Sequence, residues 1–491
     1  MSIRRLPGME VSSIGEYVEN QEEHRRGVSF REDFLFPGWV FGLSLVILMI
    51  SPWNPAGAAP PAGVRHLSLE EAVSLAERNN EALLIAQEDE KRAKGAVKEA
   101  WAGALPSVSF EGIYQGNFKR PVFFAPEEFE GGKFEMGEDI EVQGRIRVDQ
   151  VLYAFGRVGN ALKFANIYKD ISAQGVEQAR SGVIFSAREA YFRVLLLRKV
   201  ADIRRQSLEQ ARSHLTEVEQ KYDQGTASRY ELLRAQVEVK NREPEVISAT
   251  NTLALSIQDL KQVLGLEADP DPVLTDSLGF DPLEIPLESA VLEALRQRPE
   301  MLSLDLNVRG KEMILAIEKA GLLPTLGLYG QVAMQGHASK SSLTGPFYGA
   351  RRAISASAGI ALRIPIFDGF RTRGKVQQAK ASFRRAEYEL ERARKGIRLE
   401  ATKAVQDLES LGQEYESQVA TVELAEETYA IAQTRFRSGL STHLELTDAE
   451  TALNFARTNF AETLYRYNVA IANLERVLGR TSQAPAHPEK E

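Results

Sequence analysis

Tyr222-Asp223-Gln224-Gly225 and Phe436-Arg437-Ser438-Gly439 are two copies of one turn, 214 positions apart. The same offset relates Arg157 to Arg371, Leu232 to Leu446, Ala235 to Ala449, and Val263-Leu264-Gly265 to Val477-Leu478-Gly479. From Arg157 to Gly265 the first half therefore aligns with the second without a gap. Upstream the offset becomes 218, pairing Leu69 with Leu287 and Leu105-Pro106 with Leu323-Pro324. A gapless helical repeat of this length describes a long rod built twice, not a compact globular domain.

Each half reads as helix, strand, loop, strand, long helix, turn and returning helix. Ser68-Leu69-Glu70-Glu71 offers a capping box for the first helix. That helix is expected to break near Asn79-Asn80, and its counterpart at Pro299. The long helix is expected from about Gly156 to Tyr222. Its apolar stations step by three and four: Ala187, Ala190, Val194, Leu197, Ala201, then Arg204, then Leu208, Ala211, Leu215, Val218 and Tyr222. The second copy reads Ala401, Ala404, Leu408, Leu411, Tyr415, Gln418, Val422, Ala425, Tyr429, Ala432 and Phe436. A sustained period of about 3.5 is a coiled-coil seam. Both copies are polar at the same station, Arg204 and Gln418, either to set register or as unrelated surface excursions. About 66 helical residues span roughly 100 Å, and a return of about 37 residues reaches only about 55 Å. The helix over about Glu81 to Ala104 has nearly the missing length and is expected to stack end to end with the returning helix. Pro244 is expected to kink the first return; its counterpart is Thr458.

Four segments alternate with period two. Val108, Phe110, Gly112 and Tyr114 face one way, against Ser107, Ser109, Glu111 and Gln115, with Ile113 the exception. Ile140 to Val148, Leu326 to Met334 and Ile354 to Leu362 continue the pattern. One reading is a sheet with one face on a core and one in water. The sharper reading is a set of transmembrane barrel staves, because the strands are long enough to cross a bilayer when tilted. The helices are already committed to coiled-coil seams, so nothing else in the chain covers the apolar face. Lipid tolerates no open sheet edge. Four strands cannot close, so the barrel is expected to be shared: three chains give twelve strands, and two give little lumen. Pro106 and Pro324 would mark entry from helix to strand, and Gly156 and Pro365 the return.

The chain has 491 residues, a net charge of −8 and no cysteine. There is no basic footprint for nucleic acid, no disulfide framework and no cysteine chemistry. Phe34 to Ser51 carries no charge, and Pro52 and Ala56-Gly57-Ala58 follow it. This pattern reads as an export signal with the mature chain beginning near Ala59. Residues 1–33 hold five Arg and seven Asp or Glu, whereas a signal normally opens short and basic. Either translation starts downstream or the apolar run is a membrane anchor. The expected organisation is an N-terminal extension and signal over 1–58 and a linker over 59–66. Repeat one covers 67–282, with strands 106–118 and 139–152 and a helical hairpin 156–265. Repeat two covers 283–480, with strands 324–336 and 353–366 and a hairpin 370–479. A disordered tail follows over 481–491.

With these elements in this order, the chain resembles the TolC-like outer-membrane efflux protein family. The resemblance rests on Leu69-Glu70-Glu71-Ala72, Asn79-Asn80, Leu105-Pro106-Ser107, Leu323-Pro324-Thr325, Ile364-Pro365-Ile366-Phe367-Asp368-Gly369 and Arg437-Ser438-Gly439-Leu440, with Leu444-Glu445-Leu446 and Asp448-Ala449. It runs from about Leu67 to Gly479. It implies an α+β membrane protein: a homotrimer with a twelve-stranded β-barrel in outer-membrane lipid, continued by a helical tunnel across the periplasm. It implies two partners, a periplasmic membrane-fusion adaptor and an inner-membrane efflux pump, and no cofactor.

The resemblance makes the turns the adaptor-docking surface: Gly225, Thr226, Gly439, Leu440 and Ser441. Positive φ alone accounts for the glycines. Glu445 and Asp448 are three apart and share a helix face. With Glu231 they become, through the resemblance, acidic rings at a constriction, where such rings favour cations; an ordinary solvated pair is the plainer alternative. In relatives a basic residue two after the second turn glycine can tie the mouth shut. Here that position is Ser441, which leaves Arg229 and Arg437 as substitute gating partners.

Gly369-Phe370-Arg371-Thr372-Arg373-Gly374-Lys375-Val376 nearly spells a phosphate-binding loop, but it ends in Val376 where a Ser or Thr would hold magnesium. The six histidines pair at no metal or triad spacing. His443, near the tip, would make gating sensitive to pH if it were not simply exposed. No constellation supports an enzyme. Three functional readings stand: an efflux duct, the outer-membrane channel of type I protein secretion, and a soluble periplasmic coiled-coil adaptor or scaffold. The last predicts no strands of membrane length.

Overall fold

The computed structural model describes residues 66–120, 122–124, 133–135, 139–266, 270–338, 351–438 and 440–480, all within one compact unit, Pro61–Glu491. The expected export segment, the linker before His66, most of both hairpin loops, Gly439 and the tail lie outside the described residues.

The chain opens with β1 (His66–Leu67), α1 (Leu69–Asn79) and α2 (Glu81–Ala102). Next come β2 (Ser107–Gly116), a short pair β3 (Val122–Phe124) and β4 (Lys133–Glu135), and β5 (Ile140–Tyr153). The first hairpin is α3 (Arg157–Asp223) and α4 (Arg229–Leu264). After β6 (Val273–Leu274) the order recurs as α5 (Leu287–Gln297), α6 (Pro299–Ala320), β7 (Thr325–Ala338) and β8 (Arg351–Arg363). The second hairpin is α7 (Arg371–Arg437) and α8 (His443–Leu478). The long helices are both 67 residues, and the returning helices both 36.

Local chemistry sets the breaks. Ser68 accepts from Glu71 N, and Glu71 returns the bond to Ser68 N. Asn80 ends α1 and its side chain caps α2. In the second half Pro299 opens α6, where a missing N–H costs nothing. α4 runs through Pro244 as one helix. The expected end-to-end stacking is present. Asn79 and Asn80 donate to Leu264 O and Val263 O at 3.4 and 3.0 Å, satisfying carbonyls that α4 leaves open at its end. Gly265 follows at φ +65°, so close that a Cβ there would stand 2.7 Å from Asn79 Cβ. Gly479, at φ +77°, abuts Gln297 and Arg298 in the same way.

The strands form one antiparallel sheet in the order β2-β5-β7-β8. Its register aligns the alternation of all four. Phe110, Ile146, Val332 and Ala356 form one row across the sheet, and Gly112, Gly144, Met334 and Ile354 the next on the same face. Ser109, Arg147, Gln331 and Ser357 form a row on the other. The Phe110 ring lies over Gly112 and Gly144. The apolar face is bare: Phe110 is 74% exposed, Ile354 73% and Ile360 67%. The strand expected to reach residue 366 stops at Arg363, because Pro365 has no N–H for the ladder.

Both strand-to-helix returns use two consecutive left-handed residues. They are Phe155 (φ 48°) with Gly156 (φ 79°), and Gly369 (φ 67°) with Phe370 (φ 65°). The repeat aligns Phe155 with Gly369 and Gly156 with Phe370, so the glycine has changed place while the turn has not. Asp368 fills the start of α7 by accepting from Thr372 N at 2.9 Å, at the stretch that resembles a phosphate loop.

Two apolar cores hold the upper hairpins. One gathers Leu67, Tyr191, Val194, Leu260 and Leu264, and the other Ala401, Leu408, Tyr467, Leu474 and Leu478. Tyr191 is fully buried, and its hydroxyl donates to Leu67 O and Asp276 Oδ2. That contact straps the parallel pair β1–β6 onto α3. The paired polar stations differ: Arg204 reaches Glu245 at 3.3 Å, whereas Gln418 Oε1 is buried without a partner among the described residues.

Candidate functional site at the hairpin tips

α3 ends in a turn that its own backbone closes. Thr226 N and Ala227 N both donate to Lys221 O, and Gly225 supplies the positive φ of 76°. Ser228 then caps α4 in a reciprocal capping box with Glu231. The second tip repeats the closure, with Leu440 N donating to Arg435 O at 2.8 Å and Thr442 Oγ1 accepting from Glu445 N. Gly225, Thr226 and Leu440 are exposed, and Ser441 is half-buried with its hydroxyl unpartnered among the described residues. Gly439 lies outside them.

The acidic candidates are not equivalent. Glu231 has its carboxylate engaged by Ser228 N and Oγ at 2.6 and 2.9 Å, and these bonds hold its pKa below the ordinary carboxylate value. Glu445 and Asp448 are exposed. Residues 443, 447, 450 and 454 of α8 all bond to the first hairpin or within its cluster. By the 3.6-residue turn, Glu445 and Asp448 lie on the opposite, open face. Arg229 and Arg437 are exposed as well; Arg437 acts electrostatically on Glu217.

Behind this open face lies a polar cluster that joins all four hairpin helices. Glu450 is buried, accepting from Arg242 Nη1 at 2.9 Å and from Ser207 Oγ at 3.2 Å. Arg242 Nη2 also donates to Glu238, whose other oxygen stands 3.1 Å from His443 Nε2. The His443 ring stacks on His214 at 4.2 Å and 6°. Phe436 of α7 meets both imidazoles. The His443 contact and Arg242 hold Glu238 down at about 2, against the effect of burial. Burial pushes Glu450 up. Burial and the neighbouring imidazole push His214 down.

Sequence reasoning missed this cluster because its members belong to different helices. One signal was present. His443, Thr447, Glu450 and Asn454 step by 4, 3 and 4, which is a seam period occupied by polar residues and therefore a seam with polar partners.

Comparison with known proteins agrees with this architecture. The family model described as outer membrane efflux protein matches residues 72–266 and 290–480. The alkaline protease secretion protein AprF of Pseudomonas aeruginosa is 23% identical over 299 residues, 60% of this chain and 61% of that protein. The chain therefore matches less than two thirds of that relative's length. The outer membrane protein OprJ of Pseudomonas aeruginosa is 23% identical over 359 residues, 71% of this chain and 72% of that one. The crystal structure of the Campylobacter jejuni CmeC outer membrane channel superposes with a TM-score of 0.71 at 18% identity, covering 84% of this chain and 85% of that chain. By the extent of the family match, in both halves and across both hairpins, this chain belongs to the outer membrane efflux protein family.

Proposed function

We propose that this chain is one third of a passive exit duct across the outer membrane and periplasm. Three copies join their four-stranded sheets into a twelve-stranded barrel, and their hairpins continue it as a tunnel. The tips dock a periplasmic adaptor, which links the duct to an inner-membrane pump. The observation that carries this reading is the sheet. Its apolar rows are in register over all four strands and bare of protein, and among the described residues β2 and β8 each keep an unpaired edge. Lipid covers such a face only when no edge remains open. No helix among the described residues is long and apolar enough to cross a membrane, so on this reading the sheet is the membrane element.

At the far end, Glu445 and Asp448 face the duct axis and set two acidic rings that favour cations. Gly225, Thr226, Leu440 and Ser441 form the docking rim. The two structural repeats, each a sheet half with its hairpin, give the trimer near-sixfold tips. A second reading has the duct export a protein, which is favoured by the match to a relative named for alkaline protease secretion.

The test is the mass and conductance of the mature chain after export. Recovery from outer membranes only in detergent, as a complex of three chains that conducts in planar bilayers, is the expected result. A monodisperse water-soluble monomer would overturn it and favour a periplasmic scaffold.

A further inference from the structure

His443 was singled out by its place near the turn, but an efflux duct as such has no need of it. In the fold it is not an exposed polar residue. Its ring lies parallel to His214, 4.2 Å away, and the two belong to different hairpins, α8 and α3. Phe436 of α7 meets His214 at 5.5 Å and His443 at 6.0 Å. Glu238 of α4 holds His443 Nε2 at 3.1 Å. Four helices from both tips thus converge on two imidazoles.

We propose that the His214–His443 stack is a proton-sensitive latch, which clasps the second hairpin to the first while the imidazoles are neutral and lets it go as they take up protons. The inference rests on the reading of the tips as the mouth of a duct. Two parallel rings at this spacing hold two neutral imidazoles well and two cations badly, because like charges so close repel strongly in a half-buried site. The Nδ1 of His443 is buried and has no hydrogen-bond partner among the described residues.

Glu238 and Glu217 draw protons toward the stack, but each is shared with a cation. On α3, Glu217 is tied to Lys221 at 2.7 Å. On α4, Glu238 is shared with Arg242, and Arg242 with Glu450 of α8. On α7, Arg437 acts on Glu217 and adds positive charge. The direction of the effect follows from His214, whose pKa is held below its ordinary value by burial and by His443. A base with a lowered pKa in the packed state binds fewer protons there than when released. Packing is therefore strongest above the ordinary imidazole value, about 6.5, and weakens as pH falls through the lowered one. Glu238, held at about 2, stays ionised throughout this window. Glu450 has the opposite sign: its raised pKa makes protonation favour packing, so Glu450→Gln separates the two contributions.

The experiment uses the full assembled protein. The chain has no native cysteine, so nitroxide labels go on Glu219→Cys of α3 and Leu444→Cys of α8, both exposed, with labelled chains diluted into unlabelled ones. Distances are measured by double electron–electron resonance at pH 7.5 and 5.5, beside single-channel conductance. The expected result is a longer, broader distance at pH 5.5. Open probability is expected to rise about tenfold, the usual size of a coupling between two linked sites. His214→Phe keeps the stack without a proton and should abolish both changes; Glu450→Gln should leave both in place. An unchanged distance in the parent protein, or a shift that survives in both His214→Phe and His443→Gln, overturns the latch. A distance shift without conductance at either pH leaves the latch standing and overturns the duct.

Discussion

Tyr191 and Glu450 are both buried where helices meet, yet opposite means hold them. Tyr191 sits in an apolar core beside Leu260 and Leu264, with one hydroxyl to satisfy. Glu450 sits in a seam of charges, satisfied only because Arg242 and Ser207 reach it. The long helix of the first hairpin buries Leu208, Ala211 and Val218 toward its tip, whereas no residue of α7 beyond Leu411 is buried. The upper hairpins are thus a frame held mainly by area removed from water, to which the Arg298–Glu400 and Arg188–Glu475 pairs add. The tips are held by paired charges and hydrogen bonds, which solution conditions can reset.

Five variants break or sharpen this contrast. Tyr191→Ala should be the most damaging, at about 4–5 kcal/mol, because it empties the core and frees the β1–β6 strap. It should lower the thermal unfolding midpoint of the whole protein. Arg242→Ala strands two carboxylates and should cost about 3 kcal/mol. That loss should be local, read as faster hydrogen exchange in the first turns of α8 with the upper hairpins unchanged. Gly479→Ala forces a Cβ to within 2.8 Å of backbone at Gln297 and should cost about 2 kcal/mol, this time in the frame. Ser228→Ala removes the cap of α4 and should cost about 1 kcal/mol, seen as fraying at the first tip. Glu445→Gln with Asp448→Asn, on an open face, should change stability by less than about 0.5 kcal/mol. Its effect should appear instead as reduced cation preference in the reversal potential across a bilayer.

Much of the frame was legible in the sequence. Strand alternation, the Asn79-Asn80 and Pro299 breaks, and the seam over Ala187 to Ala201 are local patterns with short periods. The end-to-end stacking followed from helix lengths. What was not legible depends on distant partners. β1 and β6 are two residues each and pair across the whole first repeat, too short to carry a pattern. The junction of β5 with β7 joins the repeats, and neither strand announces its neighbour. Glu231 is instructive, because Ser228-x-x-Glu231 is the same box as Ser68-x-x-Glu71. A local rule therefore already accounted for its carboxylate. His214 and His443 lie 229 positions apart, and only the packing of two hairpins brings them face to face.

The raw edges of β2 and β8 have a consequence for how the molecule is made. Each hairpin folds through contacts between sequence neighbours, so helix can form early, in the order the chain emerges. The sheet draws strands from both halves and still ends, among the described residues, in two rows of unpaired backbone groups, a template for any passing strand. In the proposed duct its completion waits for other chains and depends on their concentration. On that reading each copy passes through an interval with finished legs and an unfinished collar, and that interval is when it most needs an escort.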